Sequence, residues 1–386
     1  MPSTRLHAPQ PQPVTFVELF FDLVFVFAVT QITVSTASDL SITNLLRSLL
    51  LFWLIWWAWT QFTWTLNPAD TTHRLVRAIT LAATGAAFIM ASSVPRAFAD
   101  DALWFAVPYL VVRLLGLGLQ VRIDLEQDRD GVATVQRWAA ASSLGLIAVL
   151  AGALVDPPAR NWLWLLAILL DLAAAALAGG GKVWDLSPAH VSERHGLFVI
   201  IAIGESLIVA GTAVAGDERT AELVAAGAAA LVGASLLWWM YFDWFKEALE
   251  HDLARAAPTE LGGLVRDAYS LGHFPLVFGI IGYAVAVEEI MLHPSDPAPR
   301  SVLVALAGGV ALFNLSTVFA YWRLHRQLLT TRLAVTTIIA VVVAAFPTWP
   351  PFWPLVTVAV GLVILAVLEG DPSRSPAQHA TNQLAG

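Results

Sequence analysis

Long apolar segments recur along almost the whole chain and restrict its fold more than any other feature. The hydrocarbon core of a bilayer, about 30 Å thick, is crossed by about 20 apolar residues in a helix. Twelve candidate segments are present, at 15–36, 44–66, 73–94, 102–122, 133–155, 160–180, 194–215, 220–245, 264–291, 301–323, 331–346 and 351–368. Charged residues make up only 13% of the 386 positions, against about 25% in soluble domains. The sequence therefore predicts an all-α fold, a polytopic transmembrane helical bundle of about 12 helices.

The last two segments, 331–346 and 351–368, are shorter than the others. Four prolines lie between them or at the start of the second, namely Pro347, Pro350, Pro351 and Pro354. Because proline removes a backbone donor and breaks a helix, these residues fit either two spans or one re-entrant hairpin. The polar stretches at the two ends, 1–13 and 370–386, are predicted to be disordered.

Lys and Arg are distributed unequally between the two sets of connections. With a cytoplasmic N-terminus, fifteen of the 21 fall on the inner side, at Arg5, Arg74, Arg77, Arg122, Arg129, Arg137, Lys182, Arg194, Lys246, Arg255, Arg266, Arg323, Arg326, Arg332 and Arg374. Five fall on the outer side, at Arg47, Arg96, Arg160, Arg219 and Arg300, and Arg113 lies within the fourth segment. Since positive loop charges are retained inside, the pattern predicts that both termini are cytoplasmic.

Short patterns recur in the same order in the two halves of the chain. Asp22 lies 183 positions before Glu205, and the Trp pair at 56–57 recurs 182 positions later. Six helices in each half would make the halves parallel, related by an axis along the membrane normal. The sequence therefore predicts two parallel six-helix repeats, at 14–182 and 190–369. Chance matching of apolar segments is the alternative.

Two acidic residues, Asp22 and Glu205, interrupt long apolar runs. A carboxylate at the centre of a membrane helix costs about 2.5–3.5 kcal/mol on insertion scales. Each acid is therefore expected to face the bundle and to have a partner there. Glu18 precedes Asp22 by four residues and shares its helix face. Counted from the predicted helix starts, Asp22 and Glu205 are expected at similar depth in the inner half of the membrane.

Two interpretations of these acids stay open. In the functional one, they line a polar path for protons or cations, as ionisable residues inside a membrane often do. In the structural one, each acid is neutralised by a base, and Arg113 is the expected counter-ion of Asp22 or Glu205. Asn314 aligns with Arg113 in the second half. The full set of candidates for a polar path is Glu18, Asp22, Arg113, Arg194, Glu205, His273 and Asn314.

Motifs of several enzyme classes are missing from the sequence. It has no GxxxxGK[ST] phosphate loop, no HExxH, no dinucleotide-binding glycine pattern and no cysteine. We therefore expect no enzymatic activity, no cofactor, no metal site and no nucleic-acid partner. The expected partners are the lipid bilayer and a transported species, namely protons, monovalent cations or a small solute. A homo-oligomer is compatible with the sequence.

Three motifs together resemble the bacterial low temperature requirement protein A family. They are ELFFDLVFVFA at 18–28, ERHGLFVIIAIGES at 193–206 and GHFPL at 272–276. The similarity covers roughly residues 12–370. The resemblance implies a polytopic protein of the bacterial inner membrane, historically linked to growth in the cold, and it implies no settled biochemical activity.

The first motif is also similar to the Phe-Ser-Asp signature that begins each six-helix repeat of a potassium channel family. The present chain has Phe21 where that signature has Ser, and its second copy is Gly204-Glu205-Ser206. Neither copy in this chain therefore has serine directly before its acid, although the predicted six-plus-six layout matches.

The leading hypothesis for function is transport or conduction that uses the buried acids of the first and seventh helices. The alternative is a non-transporting membrane factor for cold growth or envelope stress that acts through protein partners. The two differ in what surrounds the acids, because transport needs a polar path whereas a structural role needs closed ion pairs.

Overall fold

The computed structural model describes residues 5–8, 12–127, 132–178, 184–216, 219–345, 350 and 352–370. In those ranges the regular structure is helical, apart from one isolated bridge between His7 and Ala69. The inner-loop residues Arg129, Lys182 and Arg374 lie outside the described residues, as do the tail 371–386 and the side chain of Arg137.

Fourteen α-helices are present in the described ranges. The first six are α1 Phe16–Ala37, α2 Ile42–Leu66, α3 Arg74–Ser92, α4 Ala102–Gln127, α5 Val132–Ala153 and α6 Ala159–Ala178. The others are α7 Pro188–Ala215, α8 Ala221–Phe242, α9 Phe245–Arg255, α10 Pro258–Val265, α11 His273–Leu292, α12 Arg300–His325, α13 Thr330–Ala345 and α14 Phe352–Glu369. A 3₁₀ turn at Val94–Arg96 precedes α4, and a π-helix at Arg266–Leu271 joins α10 to α11.

Ten helical segments of the described chain are long and apolar enough to cross a membrane. Two further apolar helices, Trp138–Ala153 and Thr330–Ala345, are shorter. Every predicted apolar segment therefore coincides with a helix, and a multi-pass membrane protein is confirmed. A count of twelve spans stays a prediction because it depends on these two shorter helices.

The proline-rich connection before α14 is described only in part. Pro347 and Pro351 lie outside the described residues, and Pro354 is the third residue of α14. Proline is tolerated there because the first backbone N–H groups of a helix have no intrahelical partner. The choice between two spans and a re-entrant hairpin stays open.

The chain divides into two compact units. Unit 1 comprises Met1–Ser35, Ile42–Arg194 and Ala254–Arg266, and unit 2 comprises Thr36–Ser41, His195–Leu253 and Asp267–Gly386. In unit 1, α3 packs on α4, α4 on α5, α5 on α6 and α2 on α6. In unit 2, α11 packs on α12, α12 on α13, α13 on α14 and α8 on α14. These four contacts correspond in chain order, but α2 also packs on α4 in unit 1, and α8 packs on α11 and α12 on α14 in unit 2.

Part of the N-terminal stretch that the sequence predicts to be disordered contacts later residues of unit 1. Leu6 is buried, and its backbone N–H donates to the Glu126 carboxylate over 2.7 Å. Its carbonyl accepts from the Asp70 N–H over 2.6 Å. His7 is hydrogen-bonded to the Asp185 carboxylate over 2.8 Å. Residues 5–8 therefore contact the connections that follow α2 and precede α7, and the end of α4.

In unit 2, α11 and α12 pack in close backbone contact. A Cβ atom added at Gly309 would lie 2.6 Å from the carbonyl oxygen of Gly279, and one added at Gly279 would lie 2.5 Å from the carbonyl oxygen of Gly309. Small residues at such crossings let membrane helices approach each other. The adjacent Gly308 has nothing within 4 Å of its added Cβ. Of the two neighbouring glycines in α12, this contact therefore requires only Gly309.

Candidate functional site

Asp22 is paired with Arg194 inside unit 1. Both side chains are fully buried, and Arg194 Nη2 donates to Asp22 Oδ1 over 2.5 Å. Trp59 Nε1 donates to the same oxygen over 2.7 Å. The Arg194 guanidinium also lies 5.7 Å from the centroid of the Trp59 ring, within the range of a cation–π contact. One carboxylate oxygen of Asp22 therefore receives two strong donors.

Glu18 has hydrogen-bond donors on both carboxylate oxygens. Oε1 accepts from Arg194 Nη1 over 2.9 Å and lies 3.0 Å from Nε2 of His190. Oε2 accepts from the backbone N–H and the hydroxyl of Thr15, over 2.9 and 2.8 Å. The Thr15 to Glu18 spacing is that of a capping box, in which the acid three residues on turns back to the start of its helix. Glu18 is therefore held as a carboxylate by four donors.

His190 lies in the first turn of α7, next to Asn67. The Asn67 side chain is oriented by the backbone of Ser187, since its Oδ1 accepts from the Ser187 N–H over 2.7 Å and its Nδ2 donates to the Ser187 carbonyl over 3.2 Å. The amide nitrogen of Asn67 is then the atom that faces Nδ1 of His190, at 3.3 Å. A ring nitrogen that accepts carries no proton. The hydrogen-bond pattern thus assigns His190 as neutral, with its proton on Nε2 and donated to Glu18.

The remaining oxygen of Asp22 has no such partner. Oδ2 is buried and makes no hydrogen bond to any described residue. The residues Glu18, Asp22, His190 and Arg194, which we call the α1–α7 cluster, thus contain two carboxylates, one guanidinium and one neutral imidazole. Buried polar groups in native proteins are almost always paired, so this oxygen is an exception that calls for an explanation.

Arg113 does not act as the counter-ion of Asp22 or Glu205, so that prediction is wrong. Its guanidinium makes two parallel hydrogen bonds to Asp171 of α6, over 3.0 and 2.9 Å. Nη1 also donates to the Tyr109 hydroxyl over 2.8 Å. Arg113 and Asp171 therefore form a one-to-one ion pair in which both carboxylate oxygens are occupied, and the bidentate geometry is the strong form of this interaction.

Glu205 does not occupy the same helical position as Asp22. The predicted seventh span begins at 194, but α7 begins at Pro188, so Glu205 is its eighteenth residue whereas Asp22 is the seventh of α1. The prediction of similar depth is therefore wrong when depth is counted along the helix. The residue of α7 at the seventh position is Arg194. Glu205 is nonetheless buried, with 4% of its surface exposed, and it interacts electrostatically with Glu288 of α11 in unit 2.

His273 belongs to an aromatic cluster in unit 2. Its Nδ1 donates to the carbonyl of Ala268 over 2.9 Å, and its Nε2 accepts from the Tyr241 hydroxyl over 2.8 Å. Its ring stacks on Tyr269 with centroids 4.8 Å apart and contacts the ring of His195 edge-on. Ala268 and Tyr269 lie on the π-helix, a distortion often found at functional positions. Both ring nitrogens of His273 are thus occupied, in a neutral imidazole.

Asn314 is fully buried in α12. Neither polar atom of its side chain has a hydrogen-bond partner among the described residues. Its backbone carbonyl accepts from Thr317 over 2.7 Å. Asn314 aligns in sequence with Arg113, yet the only acid of α14 is Glu369, and that acid is paired elsewhere. Among its described residues, unit 2 therefore carries no equivalent of the Arg113–Asp171 pair.

Glu369 and Arg332 form a buried ion pair that the sequence analysis missed. Arg332 donates to both carboxylate oxygens, over 2.8 and 2.5 Å, and to the Thr317 hydroxyl over 2.7 Å. Trp244 donates to the same carboxylate over 3.2 Å. The distribution of Lys and Arg predicts Arg332 and Arg194 in inner loops, but both are fully buried in helices. The positive-inside count therefore includes two residues that serve as internal counter-ions.

The residues missed in unit 1 are His190, Asn67 and Trp59. One signal in the sequence points to His190, because it precedes Arg194 by four residues, as Glu18 precedes Asp22. Pro188 also marks the helix start, since proline is favoured at the first helical position, and Ser187 accepts from the His190 N–H over 3.4 Å. The complementary spacing of two acids on α1 and two bases on α7 was therefore present in the sequence.

These helices and their internal ion pairs define the class of protein as an integral, multi-pass helical membrane protein. The chain belongs to the bacterial low temperature requirement A protein (LtrA) family, whose profile matches residues 13–367. The resemblance found in the sequence is thereby confirmed.

One relative is a protein of Rhizobium meliloti (strain 1021) described as uncharacterized protein RA0937. It is 28% identical over 314 residues, which cover 79% of this chain and 76% of the relative. No solved structure matches this chain.

Proposed function

We propose that this protein transports ions across the bacterial inner membrane and that the α1–α7 cluster is its ion-responsive site. The transported species is a proton, a monovalent cation, or a small solute moved together with one of them. Both termini are cytoplasmic in this proposal, following the distribution of Lys and Arg. No enzymatic reaction is part of it.

One contrast within unit 1 carries the proposal. The Arg113–Asp171 pair joins one base to one acid and uses both carboxylate oxygens. The α1–α7 cluster holds a second acid, so that Arg194 serves both Glu18 and Asp22, and one buried oxygen is left unpaired. A purely structural ion pair has no need of the extra acid, which adds a desolvation cost. Ionisable residues that carry such a cost inside a membrane commonly belong to ion or proton pathways.

The predicted internal repeat supports the same proposal. Four helix–helix contacts of unit 1 have a counterpart in unit 2 in the same chain order, which is compatible with two six-helix repeats. Transporters are frequently built from such repeats. The two units have different internal charges, however, since unit 2 has Asn314 where unit 1 has Arg113. We infer that the units have diverged and that the ion-responsive site belongs to unit 1.

A second candidate function is a non-transporting membrane factor that acts through protein partners. This function is favoured by the Arg113–Asp171 and Arg332–Glu369 ion pairs, because the carboxylate of each pair is neutralised by an arginine within the protein. These pairs stabilise a bundle without providing a path. The two functions are separated by whether the purified protein moves ions by itself.

The proposed function is tested by reconstituting the purified protein into vesicles that contain dyes sensitive to protons, potassium or sodium. Wild-type protein is expected to accelerate the decay of at least one ion gradient over empty vesicles, and Asp22→Asn is expected to abolish that increase. Asp100→Asn, which changes an exposed acid of the connection before α4, is the matched control and is expected to retain it. Equal decay in empty and protein-containing vesicles, for every ion tested, would contradict transport.

A further inference from the structure

We propose that Asp22 binds a single proton on its Oδ2 atom and that the proton, rather than a metal cation, is the ligand of the α1–α7 cluster. The inference rests on the proposed function, because it names the ion to which that site responds. Protonation of Asp22 can be measured on the purified protein without any measurement of ion flux.

The two acids of the cluster differ in the number of donors that hold them. Glu18 accepts four hydrogen bonds, from Arg194, His190 and the two donors of Thr15. Asp22 accepts two, both on Oδ1. Hydrogen bonds to a carboxylate favour its charged form. Proton uptake in the cluster therefore occurs at Asp22 while Glu18 stays ionised.

The number of carboxylate and imidazole ligands argues against a bound divalent cation at this place. Hard cations in proteins are held by about six to eight oxygen ligands for Ca²⁺ or an octahedral set for Mg²⁺. In the part of the chain that is described, no three His, Cys, Asp or Glu residues form a group suited to a metal ion. The one unpaired oxygen of the cluster supplies a single ligand. A proton, in contrast, requires only one acceptor atom.

The positive charge of Arg194 also disfavours a metal cation in the cluster. Its guanidinium lies within hydrogen-bond distance of both acids, so a metal cation beside Asp22 would be repelled by a fixed positive charge at short range. A proton that adds to Oδ2 becomes part of a neutral carboxyl group. The carboxyl charge changes from −1 to 0, and the cluster, with His190 neutral, changes from one net negative charge to none.

The charged groups that act on Asp22 come from two helices. Arg194 faces it from α7, and Glu18 acts on it from its own helix α1. The contact from α2 is Trp59, which has no charge. His190 reaches the cluster through Glu18. Protonation of Asp22 thus neutralises one of the two carboxylates that share Arg194, and it leaves the Arg194–Glu18 ion pair intact.

Infrared difference spectroscopy of the purified protein across a pH series tests the inference. A protonated carboxyl group has a carbonyl stretching band that a carboxylate lacks. Wild-type protein is expected to show such a band at the lower pH values, Asp22→Asn to lose it, and Glu18→Gln to retain it. A band that persists unchanged in a folded Asp22→Asn variant would overturn the assignment.

A second measurement needs no variant, in case Asp22→Asn does not fold. Wild-type protein is prepared with carbon-13 in the carboxyl groups of aspartate, or separately of glutamate. The band is expected to shift with labelled aspartate and to stay in place with labelled glutamate. The reverse result would overturn the inference.

Ion flux separates this inference from the proposed function. Potassium or sodium flux that is independent of pH, without an aspartate band, would contradict proton binding while leaving transport in place. An aspartate band that is lost in Asp22→Asn, in a protein that moves no ion, would support the proton site and contradict transport. Proton flux together with the band, both lost in Asp22→Asn, supports both.

Discussion

Arg194 on α7 donates a hydrogen bond to Asp22 on α1, two residues 172 positions apart that are both fully buried. Each helix presents two polar residues at a spacing of four, Glu18 and Asp22 on α1 and His190 and Arg194 on α7. Residues at this spacing lie on one helix face. The two faces meet with acids on one side and bases on the other, so the cluster fixes which side of the first two turns of α7 contacts α1.

Replacement of Arg194 by Gln is expected to destabilise the protein by about 3–5 kcal/mol, the range for removing one partner of a buried ion pair. The loss arises because Glu18 and Asp22 are left without their shared counter-ion. Denaturant titration in detergent micelles gives the free energy of unfolding. In the double variant Arg194→Gln with Asp22→Asn, part of that loss is expected to return, since fewer charges stay buried. Strictly additive effects would contradict a direct interaction.

The Arg113–Asp171 pair is expected to behave differently from the α1–α7 cluster. Either Arg113→Met or Asp171→Leu alone leaves one buried charge and is expected to cost about 3–5 kcal/mol of unfolding free energy. The double variant is expected to regain most of that stability, because replacing a whole buried pair by apolar residues is often neutral. Denaturant titration of the single and double variants in detergent micelles measures these free energies of unfolding. A double variant as unstable as the sum of the single changes would show that the pair has a role beyond mutual neutralisation.

Gly309→Ala is expected to destabilise unit 2 by about 1–3 kcal/mol, the usual cost of overpacking. The added methyl group would lie 2.6 Å from the carbonyl oxygen of Gly279, and backbone atoms have little freedom to move away. Gly308→Ala is the matched control, since its added Cβ meets nothing within 4 Å. Thermal unfolding of both variants provides the comparison. If they unfold at the same temperature, the close α11–α12 contact is not required.

Asp70, in the connection between α2 and α3, is expected to give a pH-dependent contribution to stability. Burial of its carboxyl favours the neutral form, but hydrogen bonds from the Thr72 side chain and backbone outweigh this effect and lower the pKa of Asp70. A lowered pKa in the folded state means that the unfolded chain takes up the proton first as the pH falls. The contribution is therefore complete above about pH 4, the ordinary range of the unfolded carboxyl, and is lost as the pH falls through the folded value.

The measurement for Asp70 is the unfolding midpoint of wild-type protein and of Asp70→Asn over a pH series. Wild type is expected to be the more stable at neutral pH, and the difference is expected to narrow in acid. A difference that stays constant down to the lowest pH would contradict a contribution from the ionised carboxyl.

Much of the helical architecture could be predicted from the sequence, because the length of an apolar segment directly reports its ability to span a bilayer. The sequence predicts a helix start at 194 instead of Pro188 because the first two turns of α7 contain His190, Glu193 and Arg194, whose polarity resembles that of a loop. With that start, Glu205 is expected close to the beginning of the helix. Arg194, which in fact occupies the position that corresponds to Asp22, is then expected in a loop.

The partners of the buried charges could not be predicted with the same success. Arg113 and Asp171 are 58 positions apart, and Arg332 and Glu369 are 37 apart, so each pairing depends on which helices are neighbours. Hydropathy identifies helices but not their neighbours. Arg332 and Glu369 also lie close to helix ends, where charged residues are ordinarily solvated, and only their burial in unit 2 reveals them as a pair.

Proton flux into vesicles that contain Asp22→Asn, compared with flux into vesicles that contain the Arg113→Met and Asp171→Leu double variant, shows whether transport depends on the α1–α7 cluster. Both proteins lose an acid from unit 1, and equal insertion is verified before flux is compared. Flux is expected to be lost in Asp22→Asn and retained in the double variant, because the α1–α7 cluster, unlike the Arg113–Asp171 pair, holds one more carboxylate than it holds positive charges. Flux that is retained in a correctly inserted Asp22→Asn protein would contradict a role of the α1–α7 cluster in transport.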